Sequence, residues 1–393
     1  MIDAAALERR LAGLVPIGLS ERGTNRLAWT AEALAAEHWF EQQAEALGLR
    51  LERDPVRNLW AVPDAPPPWL GVGSHLDSVR DGGRFDGALG VAAAFEIAAR
   101  STLPLAVISF TDEEGARFNT PTFGSRALAG RLDADEVLAR RDDQGVTLAD
   151  ASGLDRAALE RAPEWLPRLR AFVELHIDQS RALETAGAAA GVVSALAARM
   201  RVHAELRGVA SHAGTTLPAD RRDALAAAAR LIVAAQELGA DGNAGSGMVV
   251  TASRLVAEPN AFTTIPSLVE LWLDARAPDD AQLARWRERL EQAAAAVTAN
   301  TGVQVQIEIQ SHSPSTVFDQ RVRAALRDAA GGAAPELVCF AGHDAGILAD
   351  KLPAGMVLVR NATGISHAAA EQVELVDAAM AADLVLAALG RLA

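Results

Sequence analysis

Cysteine is nearly missing from this 393-residue sequence: Cys339 is the only one, which excludes intrachain disulfides and any CxxC-type zinc or redox site. It lies in the apolar run Leu337-Val338-Cys339-Phe340 and reads as a small core residue, not a nucleophile. Basic excess is missing too. The formal net charge of −14 argues against a nucleic-acid partner, which would need a basic footprint. The start, Met1-Ile2-Asp3 followed by Glu8-Arg9-Arg10, lacks a cationic lead into an apolar signal core. The most apolar stretch, 87–110, is broken by Glu96, Arg100 and Pro104, so a membrane span of about 20 apolar residues is not expected. Internal repeats are absent, and the alanine-rich tracts at 224–229 and 293–296 are good helix formers. Half the residues are apolar and 22% are charged, as in globular chains. A reduced, cytoplasmic protein is expected. At this length two domains are too.

The first part of the chain alternates helical and strand patterns. Helical periodicity covers 27–47 and stops at Gly48, strand-like pieces follow at 58–62, 70–74 and 104–110, and an alanine-rich helix is predicted over 88–100. From about 198 the pattern changes. Strand 201–206, helix 219–238, strands 248–256 and 267–276, helix 280–299 and strand 303–309 predict a small ferredoxin-like α+β unit. After 313 the first pattern resumes, with a buried strand at 357–361. The expected organisation is a catalytic domain over 1–197 and 313–393, interrupted by an inserted domain over 198–312.

Four clusters of ligand-type residues follow apolar strands, where open α/β sheets place their sites. In Gly73-Ser74-His75-Leu76-Asp77, the two-residue spacing puts His75 and Asp77 on one side of an extended segment. There Asp77 can accept a hydrogen bond from one imidazole nitrogen while the other binds a metal. In Gly82-Gly83-Arg84-Phe85-Asp86-Gly87, the glycines admit close backbone approach and Asp86 can bridge two ions. In Thr111-Asp112-Glu113-Glu114-Gly115, three consecutive acids repel unless cations neutralise them. One glutamate as ligand and one as general base would use such a pair. The fourth is Glu174-Leu175-His176-Ile177-Asp178-Gln179. Of eight histidines, His75, His176, His212, His343 and His367 lie in Gly/Ser/Asp-punctuated turns, whereas His38, His203 and His312 do not. Taken singly, each histidine is more often structural and an acidic triplet more often a solvated face. It is their combination that points to a metal centre. Oxygen and imidazole ligands without thiolate suit zinc, manganese, cobalt or nickel.

GSHLDSVRDGGRFDGALG, TDEEGARF, ELHIDQS, SHAGTT, AGHDAG and GISHAAAE stand in the order found in the hydantoinase/carbamoylase family of metal-dependent amidases, which the chain resembles from about 57 to 380. That family includes N-carbamoyl-L-amino-acid hydrolases, allantoate amidohydrolases and β-ureidopropionases, and is related to the dizinc aminopeptidases and aminoacylases. The resemblance implies an α/β, dizinc-peptidase-like catalytic domain with an inserted α+β dimerisation or lid domain, and a homodimer. It implies two divalent metal ions, zinc first among the candidates. His75, Asp86, Glu114, His176 and His367 would be ligands, with Asp86 bridging and Asp77 behind His75. Glu113 would be the general base for hydrolysis of a linear amide or ureido bond in a small molecule. His212 would stabilise the oxyanion, often across the dimer interface, and Arg276 would fork onto a substrate carboxylate. Gln179 and His343, with Asp344 beside it, would contact substrate. An aminoacylase or small-peptide hydrolase is the alternative within the same chemistry. A metal-stabilised binding protein is the alternative outside it, disfavoured by the retained Glu113.

The substrate end departs from the family pattern. Its PNxxNxIPG-like segment reads Pro259-Asn260-Ala261-Phe262-Thr263-Thr264-Ile265-Pro266-Ser267, so Thr263 stands thirteen residues before Arg276, where the family has its substrate-gripping asparagine. A hydroxyl replaces an amide there, with shorter reach and fewer donors. Ser267 replaces the closing glycine, Asp178 and Ser180 alter the HIEQG pattern, and Ala368 follows the last histidine in place of proline. The reaction type is expected to survive and the family's standard substrates are not assured.

Overall fold

A computed structural model describes residues 1–240 and 247–393. The chain divides into two compact units, one of Met1–Ser194 with Val317–Ala393, the other of Ala195–Thr316.

The first unit is built on a mixed sheet. Its strands run in the order Arg50–Arg53, Leu59–Val62, Leu105–Phe110, Trp69–His75, Leu169–Ile177, Ala354–Val359, Ala190–Leu196. The four strands from Leu105–Phe110 to Ala354–Val359 are mutually parallel, and their outer neighbours are antiparallel. Leu105–Phe110 and Trp69–His75 are buried at every position, as strands covered on both faces must be. Helix Ala88–Arg100 lies against this centre, because Gly90 lets its backbone approach the sheet: a Cβ there would stand 2.2 Å from the Leu175 carbonyl oxygen. Helices Ala4–Leu14 and Leu375–Leu392 pack against it in turn. Cys339 is buried at the end of strand Glu336–Cys339, as the apolar run predicts.

The second unit has four antiparallel strands in the order Gln304–Ser313, Ala198–Arg207, Leu268–Ala277, Val249–Glu258. With helices Ala224–Ala240 and Asp280–Thr301, chain order and strand order are those of a ferredoxin-like fold. Strand Ala198–Arg207 alternates buried and exposed positions because only one face is covered by helices. Among the described residues, no helix is long and apolar enough to cross a membrane.

Helix starts differ from expectation for a local reason. The first long helix begins at Ala31, not 27, because the Thr30 hydroxyl caps it by accepting the Ala33 N–H. The helix expected from 219 begins at Ala224, where Asp223 accepts the N–H groups of Leu225 and Ala226. The strand expected over 357–361 occupies Ala354–Val359; beyond it the Arg360 N–H still reaches the Ala189 carbonyl, and Asn361 bridges to Val373 instead of extending the strand.

Helix propensity alone would make Gly90→Ala stabilising by about 1 kcal/mol. The close approach to Leu175 makes the opposite outcome the expected one. Overpacking should cost roughly 1–3 kcal/mol and lower Tm in thermal and urea unfolding. A variant as stable as the parent would contradict this account of the helix–sheet contact.

Candidate metal centre

The parallel strands deliver their C-terminal ends to one place. In strand register Gly73 pairs with Glu174, and Leu358 with His176, so the ends bearing His75 and His176 lie side by side. The His75 Nδ1 lies 3.1 Å from the Asp77 carbonyl oxygen, and the His176 Nδ1 lies 3.0 Å from the Ile177 carbonyl oxygen. A carbonyl can only accept, so each Nδ1 carries the hydrogen and each neutral ring turns its Nε2 lone pair outward. Those two Nε2 atoms are 3.4 Å apart, and Asp86 Oδ1 stands 3.4 Å from the first and 3.1 Å from the second. Two lone pairs and a carboxylate oxygen aimed at one point repel unless a cation sits among them. Protons are the fallback. Burial pulls the His75 pKa down, but Glu113, Asp77 and Asp86 outweigh it and lift it well above the ordinary value. Burial opposes Asp86 in the same way at His176, which is raised to about 9. Asp86, despite its burial, is held well below the carboxylate range by His176 and His75.

The second Asp86 oxygen faces another group. Asp86 Oδ2 accepts hydrogen bonds from Gln179 Nε2 at 2.8 Å and Ser366 Oγ at 3.2 Å, and His367 Nε2 lies 3.6 Å away. Glu114 Oε2 is 3.5 Å from that same nitrogen, while Glu114 Oε1 is buried with no partner among the described residues. Burial, then Asp86, pushes the Glu114 pKa up to about 8. Ligand atoms of His75, Asp86 and His176 form one cluster and those of Asp86, Glu114 and His367 another, each within 4.8 Å. A divalent cation fits both sets by donor type, and the second also by the unpartnered Glu114 oxygen.

The glycines around Asp86 have specific tasks. Gly87 has φ +63°, and a Cβ there would fall 2.4 Å from the His75 ring. Gly83 leaves room for the Glu371 carboxylate, whose Oε2 accepts the N–H groups of Phe85 and Asp86 at 2.8 and 3.0 Å. Glu371 therefore holds the backbone that aims Asp86.

Asp77 departs from the sequence expectation. The His75 Nδ1–H points at the Asp77 carbonyl oxygen, and the carboxylate lies 3.6 Å from that nitrogen. Its two oxygens instead accept the Glu113 and Glu114 N–H groups at 3.1 and 3.0 Å. Asp77 thus fixes the turn carrying both glutamates. Glu113 Oε2 ends 3.8 Å from His75 Nε2. Burial drives the Glu113 pKa well above the usual value; His75 opposes the shift and Asp344, Glu114 and Asp77 add to it.

His343 is buried against His176, ring centroids 4.4 Å apart, and neither of its nitrogens has a partner among the described residues. Burial and His176 depress its pKa well below the ordinary value, so it stands neutral beside the cluster. Asp344 is fully buried, with one oxygen on the Ser125 hydroxyl.

Three participants are absent from the sequence prediction. Glu371 and Glu174 stand inside the quoted motifs, and Glu174 accepts from Ser74 Oγ at 2.9 Å and from the Ala345 N–H at 2.8 Å. Arg26 lies in no motif. Its buried guanidinium donates to the Leu76 carbonyl at 2.8 Å; burial lowers its pKa to about 10 against the pull of Asp77, Asp86 and Glu371.

The remaining expected residues belong to the 195–316 unit. His212 lies on the short strand Ser211–His212, paired with Thr264, and its Nδ1 accepts the N–H groups of Gly214 and Thr215. The Thr263 carbonyl accepts the Ala213 N–H at 2.9 Å, which sets exposed Thr263 beside the His212 turn. Arg276 stands on the helix-free face of its strand with Nε 2.9 Å from Asp274 Oδ1. Ser267 is absent from the left-handed region, so the loss of the family glycine costs no backbone strain.

Residues 61–391 match the profile of peptidase family M20/M25/M40. The chain is 35% identical to an N-carbamoyl-L-amino acid amidohydrolase of Geobacillus stearothermophilus over 98% of this chain and 97% of that protein. It is 30% identical to an allantoate amidohydrolase of Bacillus subtilis, over 90% and 88% of the two chains. A solved amidase of the hydantoinase/carbamoylase family from Burkholderia multivorans superposes with a TM-score of 0.88 at 30% identity, covering 99% of this chain and 98% of that one. With strands, ligand-type side chains and sequence in agreement, the chain belongs to peptidase family M20/M25/M40, among its hydantoinase/carbamoylase-type amidohydrolases.

Proposed function

We propose that this enzyme hydrolyses a linear ureido or amide C–N bond in a small N-carbamoyl-amino-acid-like or allantoate-like molecule at a centre of two divalent cations. His75, Asp86 and His176 would hold one ion, and Asp86, Glu114 and His367 the other. The observation that carries this is Asp86, whose two oxygens face two different sets of ligand atoms. Bound there, divalent cations would acidify a water and polarise the substrate carbonyl. Glu113 takes the proton from the attacking water and passes it to the departing nitrogen. For this it must be ionised, so the acid limb of the rate profile follows its pKa. His212 donates to the carbonyl oxygen as it gains charge, and Arg276 grips a substrate carboxylate. Gln179, Thr263 and His343 are assigned to substrate contact, and the 195–316 unit to pairing two chains. The threonine at 263 narrows the grip on a planar acid or amide, which favours a substrate outside the family's standard pair.

Glu113→Gln should lower kcat by about 10²- to 10⁴-fold while leaving metal content intact. Unchanged turnover would remove Glu113 from the mechanism. A panel of N-carbamoyl, N-acyl and N-formyl amino acids plus allantoate, with ammonia and primary amine read separately, decides the bond. Ammonia from ureido compounds is expected. An amine with a carboxylic acid, and no ammonia from any ureido compound, would point to an aminoacylase instead.

Metal binding should also release protons. In the metal-free protein at about pH 7, the raised values of Glu114 (about 8) and His176 (about 9), with His75 raised as well, keep these ligands protonated, and each must deprotonate to ligate. Affinity is therefore expected to climb as pH rises from about 6 to 9. Calorimetry in buffers of different ionisation enthalpy reads the protons directly. Affinity flat from about pH 6 to 8 would contradict this.

A further inference from the structure

The segment that carries His212 is an unusual place for an aimed side chain. Strand pairing covers Ser211 and His212, with the Ala213 N–H on the Thr263 carbonyl just beyond it; His212 is exposed and Gly214 has no side chain to pack. Its geometry is nevertheless specific. The His212 Nδ1 accepts two backbone N–H groups, from Gly214 at 3.1 Å and Thr215 at 3.1 Å. Thr216 returns on the other side: its hydroxyl donates to the His212 carbonyl at 2.8 Å and lies 2.5 Å from the Ser211 hydroxyl. A ring nitrogen that accepts two N–H groups presents its lone pair, so the hydrogen of the neutral ring sits on Nε2.

Besides the Thr216 bonds and the Ala213 N–H on the Thr263 carbonyl, the turn is braced by Arg221. Its Nε donates to the Thr216 carbonyl at 3.0 Å and its Nη2 to the Ala213 carbonyl at 2.7 Å, so one planar guanidinium spans both ends of the turn. Arg221 is itself held in place: it follows the short helical turn Pro218–Asp220, and the next residue's carbonyl accepts the Val209 N–H. A lysine offers a point charge with no planar fork and cannot make this contact in the same geometry.

We propose that Arg221 is a positioning residue that fixes His212 as the Nε2–H tautomer, so that the imidazole meets the substrate oxygen as an aimed neutral donor. The catalytic half of this rests on the role given to His212 above; the tautomer half does not. Arg221 touches neither substrate nor reacting atoms and acts through the turn.

The test uses the full-length, metal-loaded enzyme labelled with ¹⁵N-histidine. Long-range ¹H–¹⁵N correlation spectra read each tautomer, and the His212 signals are identified by their loss in His212→Gln. The wild-type spectrum should show His212 as Nε2–H alone. In Arg221→Met and Arg221→Lys the His212 signals should move to the average of two tautomers, with the other histidines unmoved and Tm retained. Both variants should lose about 10- to 100-fold in kcat, short of deleting an oxyanion donor, with KM changed far less. Guanidinium added to Arg221→Ala should restore part of kcat. A purely structural role would lower Tm and leave the tautomer pure. If the methionine variant does not fold, the wild-type spectrum and the lysine variant still decide. An Nδ1–H or mixed signal in the wild type, or a pure Nε2–H signal in Arg221→Lys, overturns the proposal. So does a tautomer shift with kcat unchanged in an active enzyme. Wild-type protein inactive on every amide defeats the functional reading instead, and the spectra still settle the tautomer.

Discussion

Everything around this site depends on one buried carboxylate facing two ways. Asp86 Oδ1 lies against His75 and His176, and Oδ2 against His367, Gln179 and Ser366. A carboxylate can do this only if its backbone is held and its neighbours leave space. Glu371 provides the hold through two N–H groups, and Gly83 and Gly87 provide the space, each at a place where a Cβ would collide. The glycine-rich segment is therefore a demand of the way Asp86 is held, not a loop convenience.

Burying so many acids is unfavourable unless each has a countercharge or donor. Asp77 is stabilised by two N–H groups, Glu174 by Ser74 and the Ala345 N–H, and Glu371 by Phe85 and Asp86. Arg26 adds a buried cation whose field reaches Asp77, Asp86 and Glu371. Glu113 and Glu114 have no such N–H or hydroxyl donor to their carboxylates among the described residues, only the His75 and His367 rings at 3.8 and 3.5 Å, and burial raises both pKa values, as it does those of Asp112, Asp344 and Glu371. This concentration of buried acids with raised pKa values around Asp86 is the arrangement expected where positive charge is to arrive with a bound cation.

How much of this was legible in the sequence follows from what leaves a pattern. Apolar runs ending in His, Asp or Glu mark strand ends, so the places of His75, Glu113, Glu114 and His176 could be read, as could the ferredoxin-like order of the 195–316 unit. Bonds to backbone N–H groups leave no such mark. Asp77 sits two residues from His75 and looks like its acceptor, yet a carbonyl takes that role and the carboxylate turns to the glutamate turn. Arg26 is invisible for the same reason, since its main partner is a carbonyl fifty residues away. The helix Ala4–Leu14 is not among the expected elements, although Leu7, Leu11 and Leu14 form its buried stripe. A stripe that short is common outside helices.

Under the proposed assignment, the substrate end departs from the family pattern at Thr263 and Ser267. Thr263 offers a hydroxyl beside the His212 turn where the family has an amide, and Ser267 fits without backbone strain, so the departures are compatible with an intact unit. In the proposed reading they bear on which molecule is cut, not on how. The claim beneath both is that Asp86 joins two metal sites, and metal stoichiometry tests it most directly. Apo-protein reconstituted with zinc or manganese and measured by elemental analysis should hold two equivalents per chain. His367→Ala should keep one, and Asp86→Ala should lose tight binding at both. One equivalent in the parent, or two retained without Asp86, would contradict the account.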